Sequence, residues 1–398
     1  MIDPARRPAL RWVVLAVGIL AQSATCVFLY GLPTILPALR GDEGLSLFDA
    51  TVVVAAPTAG LLLTLIAWGW AADRSGERIV MGTGTALAAG CLAVASAVHG
   101  RGPLVAVLFL AGAGGASVNA ASGRLVMGWF GRHERGLAMG IRQTAQPLGV
   151  AIAGLSLPPL ARDHGVSTAL LFSAALCAVA SVLVFALAVN PARPTVDSLP
   201  TATTVASYRD PVLWRIHAAS TLLVVPQFAI SAFTLVYLVD ARHWDPVAAG
   251  RLVFAFQLAG AAGRIGAGVW SDRVRSRLRP IVQLALICAV LMALLAIGAA
   301  AHQVWMVPVF AFAAVVTVAD NGLAYTAVAE RAGPLWSGRA LGTHNTAQNI
   351  AAVITPPALA AVISHGGFTW AFAVVVLFPL LAIPATPLRA ERESVTSP

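Results

Sequence analysis

The sequence predicts an all-α membrane protein, with twelve transmembrane helices in two six-helix bundles that repeat one another. Three observations carry this. Of 398 residues, 58% are hydrophobic and only 11% charged, where a soluble domain carries about a quarter charged. Too few polar groups remain to wet a globular surface, which excludes a soluble enzyme and a disordered chain. Twelve apolar stretches are each long enough to cross a bilayer as a helix of ~20 residues. Two short motifs also recur at nearly equal offsets, in corresponding stretches of the two halves.

The first bundle takes residues 1–189, with spans at 12–38, 47–71, 79–99, 103–127, 136–160 and 166–189. The first span follows Arg6, Arg7 and Arg11. It is too long for a cleavable signal, and no small-residue cleavage site precedes a soluble domain. The second runs into a polar turn, Gly69 to Arg78. The fourth carries Gly112-Ala-Gly114-Gly115, which reads as close helix packing rather than a phosphate loop. The fifth is interrupted by Arg142, Gln143 and Gln146. A gap rich in Pro, Ser and Thr, 190–212, reads as a cytoplasmic linker. The second bundle, 213–398, holds spans 213–239, 248–270, 280–300, 303–328, 340–363 and 368–388. Helices are expected because backbone groups in lipid must bond internally, and no alternating ten-residue pattern marks a barrel. Trp12, Trp68, Trp129, Trp214, Trp336 and Trp370 fall near span ends, as interfacial anchors do.

The net charge is +9, and all 26 basic residues are arginine. They stand mostly in the gaps between spans, which fits membrane orientation and not a nucleic-acid surface. With the N-terminus in the cytoplasm, 17 arginines fall on the cytoplasmic side against four on the other: Arg40, Arg101, Arg162 and Arg242. That bias places both termini in the cytoplasm and a multi-pass protein in a bacterial cytoplasmic (inner) membrane. Cys26, Cys91, Cys177 and Cys288 each sit in an apolar run and read as small fillers. No metal-ligand spacing and no nucleotide motif occurs, so no cofactor is expected.

The repeat fixes the architecture. After span two stands Gly69-Trp-Ala-Ala-Asp73-Arg74-Ser-Gly76-Glu-Arg78. After span eight stands Gly268-Val-Trp-Ser-Asp272-Arg273, 199 residues on. In span five Gly140-Ile-Arg-Gln-Thr144-Ala-Gln146 matches Gly342-Thr-His-Asn-Thr346-Ala-Gln348 in span eleven, 202 residues on. The chain resembles the major facilitator superfamily over essentially its whole length, and GxxxDRxGxR between helices two and three is that superfamily's most specific signature. The resemblance implies alternating access about a site near mid-membrane, transport of a small molecule without covalent chemistry, and usually a monomer. It implies a cytoplasmic gate at Gly69, Asp73, Arg74, Gly76 and Arg78, with a shorter copy at Gly268, Asp272 and Arg273. The glycines permit close helix approach, and the aspartates can accept from arginine or from a facing helix N-terminus.

Charges inside spans are costly and mark function by default. Arg264, in span eight, lies about 12 Å inside the cytoplasmic end at 1.5 Å per residue, too deep to snorkel easily. Its first-half equivalent is Leu65. Binding of a substrate anion, a gating ion pair and a structural role all fit it. Arg142 lies at similar depth in span five beside Gln143 and Gln146; the second half has His344, Asn345 and Gln348 there. These residues fit either a substrate cavity or a helix–helix network near the gate. Asp320, with Asn321, stands near the centre of span ten. A carboxyl removed from water favours its neutral form, which suits a proton carrier; an arginine partner would keep it ionised. His344 is a second candidate for proton coupling. Arg124, Arg215 and Arg251 lie near span ends, where snorkelling accounts for them. Gln22, Gln227 and Gln257 lie deeper, as pocket residues do.

The turn Trp129-Phe-Gly-Arg132-His-Glu-Arg135-Gly-Leu-Ala-Met-Gly140 is similar to that of the organic-anion branches, including the monocarboxylate and oxalate/formate carriers. Gly263-Arg264 resembles their anion-binding arginine. The early arginine of helix four in drug exporters is absent. The resemblance therefore implies a proton-coupled carrier of a small organic anion. Arg264 and Arg142 would bind it, Gln146, Gln348, Asn345, Gln22 and Gln257 would line the site, and Asp320 and His344 would handle the proton. The alternative is a proton-coupled drug efflux antiporter in which Asp320 pairs with a cation. The partners implied are then a small anionic solute, protons and the bilayer, and no nucleic acid.

Overall fold

A computed structural model describes residues 8–191, 209–301, 305–333 and 335–391. Most of the 190–212 linker lies outside the described residues, as do four of the 17 arginines counted on the cytoplasmic side, Arg6, Arg7, Arg193 and Arg392. The protein is all-helical, and no strand occurs among the described residues. Helices α1 (Pro8–Gly31) and α2 (Leu36–Glu43) join through a 3-10 turn at Leu32–Ile35. Then come α3 (Leu47–Ser75), α4 (Glu77–Ala95) and α5 (Arg101–Trp129). Span five divides into α6 (Arg135–Arg142) and α7 (Ala145–His164), and α8 (Val166–Leu187) follows. The second half holds α9 (Pro211–Val236), which ends in a π turn at Tyr237–Ala241, then α10 (Pro246–Val274) and α11 (Leu278–Ala300). Span ten divides into α12 (Met306–Ala319) and α13 (Asn321–Ala332). The last element, α14 (Ser337–Ala385), loses helical geometry at Gly367, whose φ is 74°.

Ten helical stretches among the described residues are long and apolar enough to cross a membrane. The last of them covers 55 residues, Ser337–Glu391, or ~80 Å of helix, which is two crossings folded at Gly367. Helix five is missing from the ten because it is broken into α6, of only eight residues, and α7, whose apolar run is diluted by Gln146 and Arg162. The spans therefore number twelve, as the sequence predicts.

Side-chain caps set several helix starts. Ser46 Oγ accepts from the Asp49 amide at 3.1 Å, Asp210 from Val212 at 2.9 Å, and Asp245 from Ala248 at 2.8 Å. Gly76, at φ 91°, ends α3 in a backbone conformation that favours glycine.

The helices form two compact units. One comprises Met1–Gly131, Thr144–Val205 and Ala332–Thr346; the other comprises Arg132–Gln143, Ala206–Arg331 and Ala347–Pro398. The division at 190–212 is thus crossed twice: α6 belongs with the second unit and the opening turns of α14 with the first. In the first unit α5 packs against α3 and α4, and a methyl group at Gly112 would overlap the Pro57 carbonyl of α3. The second unit closes on Met292, Leu295, Phe310, Phe372 and Val375. There Tyr237 donates to Met306 Sδ at 2.8 Å.

Trp129 departs from the interfacial role expected of it. It is buried, and its indole donates to the Val189 carbonyl at 2.7 Å. The bond ties the end of α5 to the residues that follow α8.

Candidate functional site

The two copies of the repeated motif do the same chemistry, each inside one unit. In the second unit Asp272, near the end of α10, accepts from the amides of Gly136 (3.0 Å) and Leu137 (2.8 Å) in the first turn of α6. Those amides have no partner within their own helix, and a carboxylate at a helix N-terminus is also favoured by the dipole. Gly268, one turn earlier, makes the approach possible, since a methyl group there would overlap the Gly136 carbonyl. In the first unit Asp73 accepts from Gly338 (2.9 Å) and Arg339 (3.1 Å) at the start of α14, and Gly69 lies against the Gly338 carbonyl. Arg74 stacks on Trp70 at 4.1 Å. Arg78 reaches the Phe185 carbonyl, and its amide donates to Asn190 at 2.8 Å. Arg273 is exposed.

Each aspartate also holds a buried arginine that the sequence did not single out for that role. Arg124 of α5 donates to Asp73 at 2.7 Å and pairs with Glu77 at 2.8 Å. It therefore does not snorkel as expected, because two carboxylates claim it inside the fold. Arg277 donates to Asp272 and to the Arg132 carbonyl, both at 2.6 Å, and pairs with Glu330 at 3.4 Å. Burial pushes the Arg277 pKa down, but Glu330 and Asp272 outweigh it and hold the group above its ordinary value. Glu391 fixes the same loop, accepting from the Ser276 hydroxyl at 2.5 Å and the Arg277 amide at 2.6 Å.

Deeper in the second unit lies a buried polar group. Arg264 of α10 and Asp320, at the break between α12 and α13, are both buried and interact electrostatically. Arg264 Nη1 donates to the Gln143 carbonyl at 3.0 Å. Its Nε is buried with no hydrogen-bond partner among the described residues. Arg142, only 1% exposed, donates from Nη1 to Gln143 Oε1 at 2.8 Å, and its guanidinium stands 5.4 Å from the Tyr325 ring. Gln143 thus receives both arginines, one on its side chain and one on its carbonyl. Beside Asp320, Asn321 donates to Gln227 at 3.0 Å, and Gln348 donates to Ser220 at 2.7 Å and to Asn321 at 3.3 Å.

The first unit has its own polar network. Gln22 donates to Asn119 Oδ1 and accepts from Ser122, each at 3.3 Å, while Asn345 donates to the Asn119 carbonyl at 3.1 Å. His344 is fully buried in the same unit. Of the residues expected to bind substrate, Arg264, Arg142 and Gln348 stand in the second unit's network, and Gln22 and Asn345 in the first's. Gln146 is half-buried in the first unit, and Gln257 is exposed on α10. Asp320 and His344, the two proton candidates, lie in different units.

Sequence reasoning missed Glu77, Tyr325, Glu330 and Glu391, and the carbonyl of Gln143. Glu77 stands inside the motif itself, which was a usable signal. A backbone carbonyl and contacts this distant in sequence offer none.

A family model described as Major Facilitator Superfamily matches residues 18–356. Proteins described as uncharacterized MFS-type transporters from two strains of Mycobacterium tuberculosis are 40% identical over 380 residues, covering 95% of this chain and 85% of theirs. Among solved structures, the human organic anion transporter TETRAN is similar with a TM-score of 0.71 and 16% identity, over 94% of this chain and 99% of that one. The Escherichia coli fucose:proton symporter is similar with a TM-score of 0.69 and 15% identity, over 93% and 99%. At such identities the likeness is one of fold.

Proposed function

This chain belongs to the major facilitator superfamily, and on that premise we propose that it carries a small carboxylate across the membrane together with a proton, by alternating access. The supporting observation is the Nε of Arg264, buried and without a hydrogen-bond partner among the described residues. A buried donor left unsatisfied costs about 1–3 kcal/mol. A carboxylate relieves that cost, since its two oxygens match the fork of a guanidinium in two charge-assisted bonds. Nη1 is held by the Gln143 carbonyl, so the edge bearing Nε is the one presented to a ligand. Arg142, engaged with Gln143 and Tyr325, adds positive potential and steadies Gln143.

Asp320 supplies the coupling. Ionised, it offsets the charge of Arg264 and competes with an incoming anion. Protonated, it leaves that charge for the substrate. Anion and proton then favour each other's binding, which is the thermodynamic requirement for symport. Asp73 and Asp272, each seated on a helix N-terminus, serve as gate latches that form and release during the cycle. In this reading the latches and both termini face the cytoplasm. The structural relatives named for an organic anion and for fucose with a proton are compatible with either kind of cargo on this fold.

The test is flux in proteoliposomes. An inward proton gradient is imposed, a fluorescent pH probe is followed, and a panel of small carboxylates is added, then cationic drugs. Proton entry triggered by a carboxylate supports the proposal. Silence for every acid, with proton movement on adding a drug, replaces it with drug efflux.

A further inference from the structure

We propose that Pro147 is a positioning residue for Arg264, acting through the Gln143 carbonyl; this rests on the proposal that Arg264 binds the substrate anion. In a continuous helix the carbonyl of residue i accepts from the amide of residue i+4. For Gln143 that residue is Pro147, which has no N–H and whose ring clashes with the carbonyl four residues back. Helix five accordingly breaks here, α6 ending at Arg142 and α7 starting at Ala145. The carbonyl denied a helical partner is the one that Arg264 Nη1 holds at 3.0 Å. The proline thus creates an acceptor that fixes the guanidinium and leaves its Nε edge for a ligand.

The internal repeat supplies an independent check. Gly140 lies against the backbone of Arg264 and Ile265, and its repeat partner Gly342 lies in the same way against Leu65 and Ile66. The two helix crossings are therefore equivalent. Where the Gly140 crossing has Arg264, the Gly342 crossing has Leu65. Where helix five has Pro147, the repeat has Asn349, which keeps its N–H. Arginine and proline occur together in one half and are replaced together in the other, as an anchor and the group it needs would be.

The test is Pro147→Ala in the full-length carrier. The restored amide takes the Gln143 carbonyl, and Arg264 loses its anchor. The KM for the carboxylate found in the flux panel rises roughly tenfold, the loss of one charge-assisted hydrogen bond, while kcat changes by less than about threefold. The melting temperature does not fall, because replacing a helix-breaking proline does not weaken a helix. In an Arg264→Lys background the same substitution shifts KM by less than about twofold, since the coupled pair is already broken. An unchanged KM in Pro147→Ala, or an effect that adds in full to that of Arg264→Lys, overturns the proposal. If no carboxylate is carried, the anchor is tested on substrate-free protein. Modification of Arg264 by phenylglyoxal, read by mass spectrometry, should run several-fold faster in Pro147→Ala, and an unchanged rate overturns the anchor by itself.

Discussion

Replacing Arg124 with methionine should cost the first unit about 3–5 kcal/mol, the penalty for leaving a buried charge without its partner. The magnitude follows from what each carboxylate retains. Asp73 keeps two backbone amides and Arg339 at 3.5 Å. The Glu77 side chain is 0% exposed and makes no hydrogen bond among the described residues, with Arg124 Nε at 2.8 Å as its ion-pair partner. Most of the loss therefore falls on Glu77. Unfolding in mixed micelles titrated with sodium dodecyl sulfate gives the free energy. The double variant Arg124→Met with Glu77→Met should recover most of the loss, because it removes the stranded charge together with its partner. A snorkelling arginine at a membrane edge would behave like an exposed ion pair, worth about 0.2–1 kcal/mol. A loss below about 1 kcal/mol for Arg124→Met would refute the buried triad.

Three further outcomes are expected. Gly268→Val should abolish uptake while the protein still inserts and binds, since a side chain there meets the Gly136 carbonyl; normal uptake would show that the close approach is dispensable. Asp272→Asn places an amide opposite a backbone N–H and should cost about 1.5–3 kcal/mol locally, read as faster hydrogen exchange at Gly136 and Leu137; unchanged exchange would remove the cap. Asp320→Asn should retain carboxylate binding but lose stimulation of uptake by a proton gradient, and persistent stimulation would assign the proton elsewhere.

Hydropathy and arginine spacing are local properties, so the spans, the repeat and the motif glycines and aspartates were legible in the sequence. The division into units was less so. Nothing local in Arg135–Arg142 says that α6 packs with the second half, because Gly136 and Gly140 find their partners in α10. Arg124 shows the limit of reasoning from depth: a place near a span end allows snorkelling, and only the fold reveals the carboxylates that hold it. Arg264 and Asp320 were both visible as charges in spans. Their neighbourhood depends on packing of α10 against α12 and on the break at Asp320, which no spacing rule supplies. Gln257 is exposed on α10, and depth along a span does not say which way a helix face turns.

The most direct measurement compares wild type and Arg264→Ala, reconstituted at equal density, for the initial rate of proton-driven carboxylate uptake. If the Nε edge of Arg264 seats the substrate, uptake in the variant falls to the level of empty liposomes while its melting temperature stays within a few degrees of wild type. Uptake at the wild-type rate without the guanidinium would contradict the binding site at its centre.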